Sequence, residues 1–402
     1  MKNGFELLDS LINSYRNDLI KTMENMISIR AISPKNGGNG ESDRADFLED
    51  LLTSWGLRIQ RHTYVDDSGI KRPSITARLN GTGRTVWYVG HIDTVTEGDI
   101  SMWSRDPFKA FVEGNRIYGR GTNDDGQGIL SSMYALKALK ESGLKTRYDF
   151  GLVLAADEEN GSRYGMQKLV EERMFNKEDM FVVPDWMTPN GTAIEIGEKG
   201  MLWLKITVIG KQMHASTPEN GKNAYRQMIL FLNDVDLLLH SKYNSRNNIF
   251  RPNISTFEMT KHEKNVDSIN IIPGIEVSYM DCRILPEYNI DHIISDIKTL
   301  AASEKFEDVR IDVAEILKDE HAPITDPNSE IVKLLGSAIK DLRGKKVETV
   351  GIGGGTCAAF PRRAGMQAVV WSTGPETAHS PNEYTDINDI INDAKVFAYM
   401  LL

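Results

Sequence analysis

Val86–Val95 reads VWYVGHIDTV, an apolar run closed by Gly90 that delivers His91, Ile92 and Asp93 to the point where a strand stops. A short β-branched and aromatic run ended by glycine predicts a buried strand. Residues two apart at its mouth project from the same side, so the His91 imidazole and the Asp93 carboxylate face one point. Such a pair is equally compatible with a hydrogen bond that merely closes a sheet, and other segments must decide.

Working outward, Ile59–Val65 and Ser74–Leu79 alternate as strands, Asn115–Gly121 reads as a short strand and glycine turn, and Phe150–Ala155 as a second buried strand. Helical spacing covers Phe5–Ile29, Ala45–Trp55 and Ile129–Ser142, with a Gly/Asn/Pro loop at Ala31–Ser42. This βαβ rhythm predicts a sheet with helices on both faces and a site at the carboxyl ends of its strands. Near Glu198–Gly200 the rhythm changes. Strands at Leu202–Ile209, Ile254–Thr260, Ile275–Ile284 and Val309–Ile316, with helices at Ala224–Tyr243 and Ile290–Ser303, follow the β-α-β-β-α-β order of a ferredoxin-like unit. A larger α/β domain is therefore expected over 1–199 and 318–402, with an inserted α+β domain at 200–317. The second part resumes with a helix at Ile331–Leu342, a glycine-rich turn at Gly351–Gly355 and the strand Gln367–Trp371.

The 402 residues exceed one comfortable core, and 40% hydrophobic with 26% charged content is that of a soluble globular protein. No apolar run approaches the roughly 20 residues that span a bilayer, and the amphipathic first residues do not read as a signal peptide, so a cytoplasmic protein is expected. The net charge of −10 argues against a nucleic-acid surface. Two cysteines, Cys282 and Cys357, make no disulfide framework.

Four further segments carry acids or histidines to strand ends: Gly119–Gly128 (GRGTNDDGQG), Ala155–Gly161 (AADEENG), Val182–Asp185 (VVPD) and Thr377–Glu383 (TAHSPNE). Asp124 or Asp125 alone could cap the helix that follows. Three acids directly after a buried strand repel one another, and a cation is the simplest compensation. A mixed set of histidines and carboxylates suits zinc or a similar first-row divalent ion. Two ions about 3.5–4 Å apart need one bridging carboxylate and one unligated base, and the adjacent pair Glu158–Glu159 offers a base and a ligand.

Together GHIDTV, GRGTNDDGQG, DEENG, VVPD and TAHSPNE resemble the aminoacylase/carboxypeptidase family of dinuclear zinc hydrolases, which includes acetylornithine deacetylase, succinyl-diaminopimelate desuccinylase, glutamate carboxypeptidases and bacterial dipeptidases. The resemblance implies two zinc ions per chain, with cobalt or manganese as substitutes: His91 and Asp185 on one, Glu159 and His379 on the other, Asp124 bridging both. It implies that Asp93 orients His91 and that Glu158 is the general base for a metal-bridged water attacking an amide. In the inserted lid domain, His214 resembles a histidine that steadies the oxyanion in a partner subunit's site, which implies a homodimer. Asn270 and Arg283 resemble residues of the substrate pocket, the arginine gripping a carboxylate, and Gly354, Gly355 and Thr356 resemble the loop that shapes it. Cys357 departs from the family pattern. The implied activity is hydrolysis of an N-acyl amino acid, with dipeptidase or carboxypeptidase action as the alternative. A catalytically silent metal-binding protein is the reading from another class, and the retained base and ligands tell against it.

Overall fold

Within Thr85–His91, Trp87 and Val89 turn to one side and Tyr88 to the other, and both sides are covered. Trp87 packs edge-on to Phe175 at 5.2 Å, among Val153, Met166, Leu169, Phe181 and Val370. Tyr88 stacks on Phe150 at 4.4 Å and meets Phe397 at 4.9 Å, its hydroxyl donating to the Phe397 carbonyl. Burying such a side chain stabilises by roughly 1.5–3 kcal/mol, so a strand apolar on both faces is stable only between two helical layers. The computed structural model describes residues 2–402.

Chain contacts divide it into two units, one of Met1–Ile196, Ile324–Thr349 and Thr356–Leu402, the other of Gly197–Pro323 and Val350–Gly355. The larger sheet has eight strands in the order Ile59–Val65, Lys71–Leu79, Asp149–Ala155, Thr85–His91, Met180–Thr188, Gln367–Thr373, Ala193–Glu198 and Glu348–Ile352. Its centre is parallel and its first three strands antiparallel. The mixed sheet with helices on both faces is as expected, but Ala193–Glu198 and Glu348–Ile352 had no strand signal strong enough to read. Met180–Thr188 also runs past Asp185 instead of stopping at it.

The expected helix Phe5–Ile29 is two, Lys2–Ser14 and Arg16–Ser28. Between them Tyr15 is buried, with its hydroxyl on Glu141 and its ring 5.6 Å from that of Tyr134, and this anchor breaks the run. A three-stranded sheet of Tyr384–Asp386, Arg116–Tyr118 and Phe111–Glu113 was legible only in its middle strand.

The second unit holds an antiparallel sheet in the order Thr256–His262, Ile275–Ile284, Gly200–Ile209, Arg310–Asp319, with helices Ala224–Lys242 and Ile290–Ala301. Every second residue of Gly200–Ile209 from Leu202 to Val208 is buried against Met228, Phe231, Val235, Ile293 and Ile297. This is the ferredoxin-like pattern read from the sequence. Among the described residues no helix is long and apolar enough to cross a membrane.

Candidate metal centre

His91 pairs in register with Ala155, and Tyr88 with Val182, so His91 stands level with Asp185 on one neighbouring strand and with the start of the 156–160 turn on the other. The helix Gly128–Ser142 begins just beyond the turn that carries Asp124 and Asp125. Gly90 is required because the Asp125 carboxylate comes so near that a Cβ there would lie 2.9 Å from it. Asp125 accepts from the His91 and Gly128 amides, both at 3.1 Å, so it fixes the histidine and caps the helix while Asp124 is free to face the site.

Asp124 presents one oxygen to each of two imidazoles: Oδ1 lies 2.7 Å from His91 Nε2, and Oδ2 lies 3.0 Å from His379 Nε2. Asp185 Oδ1 is 3.6 Å from His91 Nε2, and Glu159 Oε2 is 3.2 Å from His379 Nε2. The structure thus brings together all five residues named as ligands. Ligand atoms of His91, Asp124 and Glu159 lie within 4.8 Å of one another, as do those of His91, Asp125 and Asp185.

Asp93 does more than orient His91. Its carbonyl oxygen is 3.1 Å from His91 Nδ1 and its carboxylate 3.5 Å, while the two carboxylate oxygens accept from the Glu158 and Glu159 amides at 3.0 and 3.1 Å. Glu159 Oε1 also accepts from Val95 N at 3.2 Å. Behind this turn, Ser162 Oγ meets Cys357 Sγ at 3.5 Å.

Burial opposes a charged His91, but Asp185, Asp124 and Asp93 hold its imidazole well above the ordinary value. Hydrogen bonds donated to Asp124 and then to Glu159 raise His379 to about 10. Burial, then the charges of Asp185, Glu159 and Asp93, push the Glu158 carboxyl well up, and burial also raises Glu159 and Asp185. A cluster of acids that holds protons this firmly is one that a cation would complete. The mixed nitrogen and oxygen donors fit a first-row divalent ion.

The candidate residues of the second unit are arranged differently. His214 is exposed on a two-residue strand paired with Ile271–Ile272, and Ala215 N donates to the Asn270 carbonyl at 2.9 Å. His214 Nδ1 accepts from Ser216 N at 3.1 Å, so in the neutral ring Nε2 carries the hydrogen and is a donor. Arg283 lies in the separate four-stranded sheet, near the end of the strand Ile275–Ile284: it pairs with Met201, whereas Ile275, three residues after Ile272, pairs with Ile209. Its Nε and Nη2 donate to the two oxygens of Asp281 at 2.7 and 3.0 Å, and Nη1 donates to the Gly353 carbonyl at 3.1 Å. A Cβ on Gly353 or Gly354 would meet nothing within 4 Å, while one on Gly355 would lie 3.4 Å from Met201. Thr356 Oγ1 accepts from Ala358 N at 3.1 Å.

The sequence model of the peptidase family M20/M25/M40 matches residues 87–402. The chain belongs to that family. An uncharacterized metallohydrolase of Methanocaldococcus jannaschii is 38% identical over 96% of this chain and 98% of its own. A succinyl-diaminopimelate desuccinylase of Pelagibacter ubique is 27% identical over 88% and 92%. The crystal structure of human carnosine dipeptidase 1 shares the fold, with a TM-score of 0.78 at 17% identity over 99% of this chain and 98% of that one. As a member of the M20 family the chain is a metal-dependent hydrolase of amide or peptide bonds. Two residues packed into this M20 site were not singled out from the sequence, Arg120 and Glu383. Glu383 stands in the TAHSPNE motif, where His379 drew the attention.

Proposed function

We propose that the chain is a two-metal amidohydrolase that cleaves the amide of an N-acyl amino acid, as a desuccinylase or deacetylase does. The observation that carries this is Asp124, with one carboxylate oxygen on each histidine. In this reading His91 and Asp185 hold one ion, His379 and Glu159 the other, and Asp124 both. Zinc is the expected metal, with cobalt and manganese as substitutes. The ions, when bound, polarise the amide carbonyl and acidify water. Glu158 takes the proton and returns it to the leaving amine, and its raised affinity for protons suits that exchange. Asp93 holds the Glu158 amide and keeps the base in place.

A homodimer belongs to this reading. Arg283 and Ile275 are eight residues apart along one strand, about 26 Å, and His214 and Asn270 belong to the two-stranded ribbon just before Ile275, at the end of that strand away from Arg283. One lid cannot bring both to a small substrate, whereas a second copy can supply His214 as an oxyanion donor. Exposed Tyr225, Ile229 and Leu237 on the helix Ala224–Lys242 support pairing through this unit. A cytoplasmic setting accords with the two free, buried thiols.

Asp281 holds Arg283 through Nε and Nη2, and Nη1 donates to the Gly353 carbonyl and meets Met201 Sδ, so a substrate carboxylate would bind this guanidinium by exchanging one of those contacts. A dipeptide carries such a carboxylate just as an N-acyl amino acid does, and this keeps dipeptidase or carboxypeptidase action as the second reading. The test is amino-acid release by zinc-loaded protein from N-acetyl and N-succinyl amino acids and from dipeptides. Faster release from the N-acyl substrates is expected. The reverse order moves the assignment to the second reading, and no release from any of them with two ions bound overturns both.

A further inference from the structure

We propose that the buried ion pair Arg120–Glu383 is a positioning latch that ties the loop carrying Asp124 to the loop carrying His379 and so sets the affinity for both metal ions. The inference rests on the ligand roles proposed above. Glu383 is 0% and Arg120 2% exposed. Glu383 Oε1 accepts from the amides of Asn123 at 2.8 Å and Asp124 at 3.0 Å, and Oε2 accepts from the Gly121 amide at 3.0 Å and Arg120 Nη1 at 2.6 Å. Its own carbonyl accepts from Gly119 N at 2.9 Å. One carboxylate therefore gathers the backbone from 119 to 124 and fixes the amide of the bridging residue itself.

Arg120 carries the hold across to the second histidine. Its Nη2 donates to the His379 carbonyl at 3.3 Å and its Nε to the Thr96 carbonyl at 3.2 Å. His379 has φ of 59°, a left-handed conformation that a non-glycine residue keeps only when its surroundings enforce it. The two residues divide the work: Glu383 acts through Asp124, which both ions share, and Arg120 acts through His379, which serves one.

A buried ion pair can also be only a structural tie. Arg362–Glu195 provides the control: it is equally buried, with Nη2 and Oε2 2.7 Å apart, and its guanidinium contacts include Glu195, Thr325 and Ala368, none of them a ligand residue.

The experiment titrates metal-free protein with zinc against a chromophoric chelator, with far-UV circular dichroism to establish folding. Wild type is expected to bind two ions. Glu383→Gln weakens both about 10–100-fold, the usual range for residues that orient metal ligands. Arg120→Lys keeps the charge on Glu383 but gives up the fork to the His379 carbonyl, so it weakens one ion about tenfold and spares the other. Glu195→Gln lowers the melting temperature and leaves both affinities alone. Folded Glu383→Gln and Arg120→Lys with wild-type affinities overturn the latch, as does an equal loss in Glu195→Gln. If Glu383→Gln fails to fold, Arg120→Lys decides alone, and two unchanged affinities overturn the proposal. Fewer than two ions on wild type overturns the metal assignment itself, and the latch with it.

Discussion

The two units hold their candidate groups in opposite ways. In the first, His91, Asp93, Asp124 and Asp125 are spent on one another or on backbone amides, and burial drives the proton affinities of Asp125, Glu158, Glu159 and Asp185 up. In the second, His214 and Asn270 stand exposed on a two-stranded ribbon, and Arg283 is partnered by Asp281 on the separate four-stranded sheet. The first arrangement is a crowded set of nitrogen and oxygen donors that suits a divalent cation. The second presents an exposed imidazole and a guanidinium held by its neighbours. In the proposed function the first fixes the reaction, and the second selects and steadies the substrate.

The contrast is most exposed at Asp124. Asp124→Ala removes the one carboxylate that both histidines share, so both ions and all measurable activity should go. Wild type treated with a chelator should lose activity and regain it with zinc or cobalt. Elemental analysis finding full activity without a divalent metal would end the comparison.

Within the adjacent pair, the proposed function makes Glu158 the base and Glu159 the ligand. Glu158→Gln keeps the shape and should keep the metal, but it cannot accept a proton, so turnover should fall by roughly 10²–10⁴. Glu159→Gln, whose oxygen meets His379 Nε2, should instead weaken metal binding. A fully active Glu158→Gln beside a metal-replete but dead Glu159→Gln reverses the two roles.

A smaller loss tests the exposed unit. His214→Ala removes a donor and should cost roughly 10²–10³ in turnover with less effect on substrate affinity. Mixing His214→Ala with Glu158→Gln under conditions of subunit exchange should return part of the activity, because a mixed dimer has one site with both residues intact. Absence of any recovery removes the dimer from the mechanism and leaves the metal chemistry standing.

These differences follow what could be read from the chain. Strong local signals gave the mixed sheet, the lid's β-α-β-β-α-β order and the five residues His91, Asp124, Glu159, Asp185 and His379 that the fold brings together. Apolar runs ending in His or Asp announce themselves, because a polar ligand at the end of a buried strand is locally anomalous. Ala193–Glu198 and Glu348–Ile352 escaped notice because short strands with interior glycines and acids carry little periodicity. Glu383 and Arg120 were missed for another reason: their partners are backbone groups many residues away, and a carboxylate that binds amides leaves no spacing rule in the sequence. The break at Tyr15 likewise depends on Glu141, a contact that only the fold creates.

The mildest effect is expected behind the site, where the buried acids Glu41, Asp93 and Asp157 outnumber the buried guanidinium groups of Arg72 and Arg44. Arg72 Nε meets Glu41 at 2.9 and 3.0 Å, and its Nη1 lies 2.9 Å from Asp157 and 3.6 Å from Asp66, so one cation is shared by three acids. Arg44 spends its hydrogen bonds on the carbonyls of Ile29 and Ile92. Burial, then the charge of Asp93, lifts the Glu41 carboxyl from 4.5 to about 8. A raised carboxyl keeps its proton in the folded state while the unfolded chain gives it up, so its contribution to stability is complete below the unfolded value and is lost as pH rises from 4.5 towards 8. At about 1.4 kcal/mol per unit, the loss should reach a few kcal/mol. Glu41→Gln resembles the protonated form at every pH and should be spared it. Urea unfolding of metal-free protein at several pH values from 5 to 8 checks this, with chelator present so that ligand deprotonation on metal binding adds no slope of its own. Wild type should lose stability relative to Glu41→Gln across that range, and parallel curves would show that Arg72 neutralises Glu41 fully and that the excess negative charge of this unit resides at the metal ligands alone.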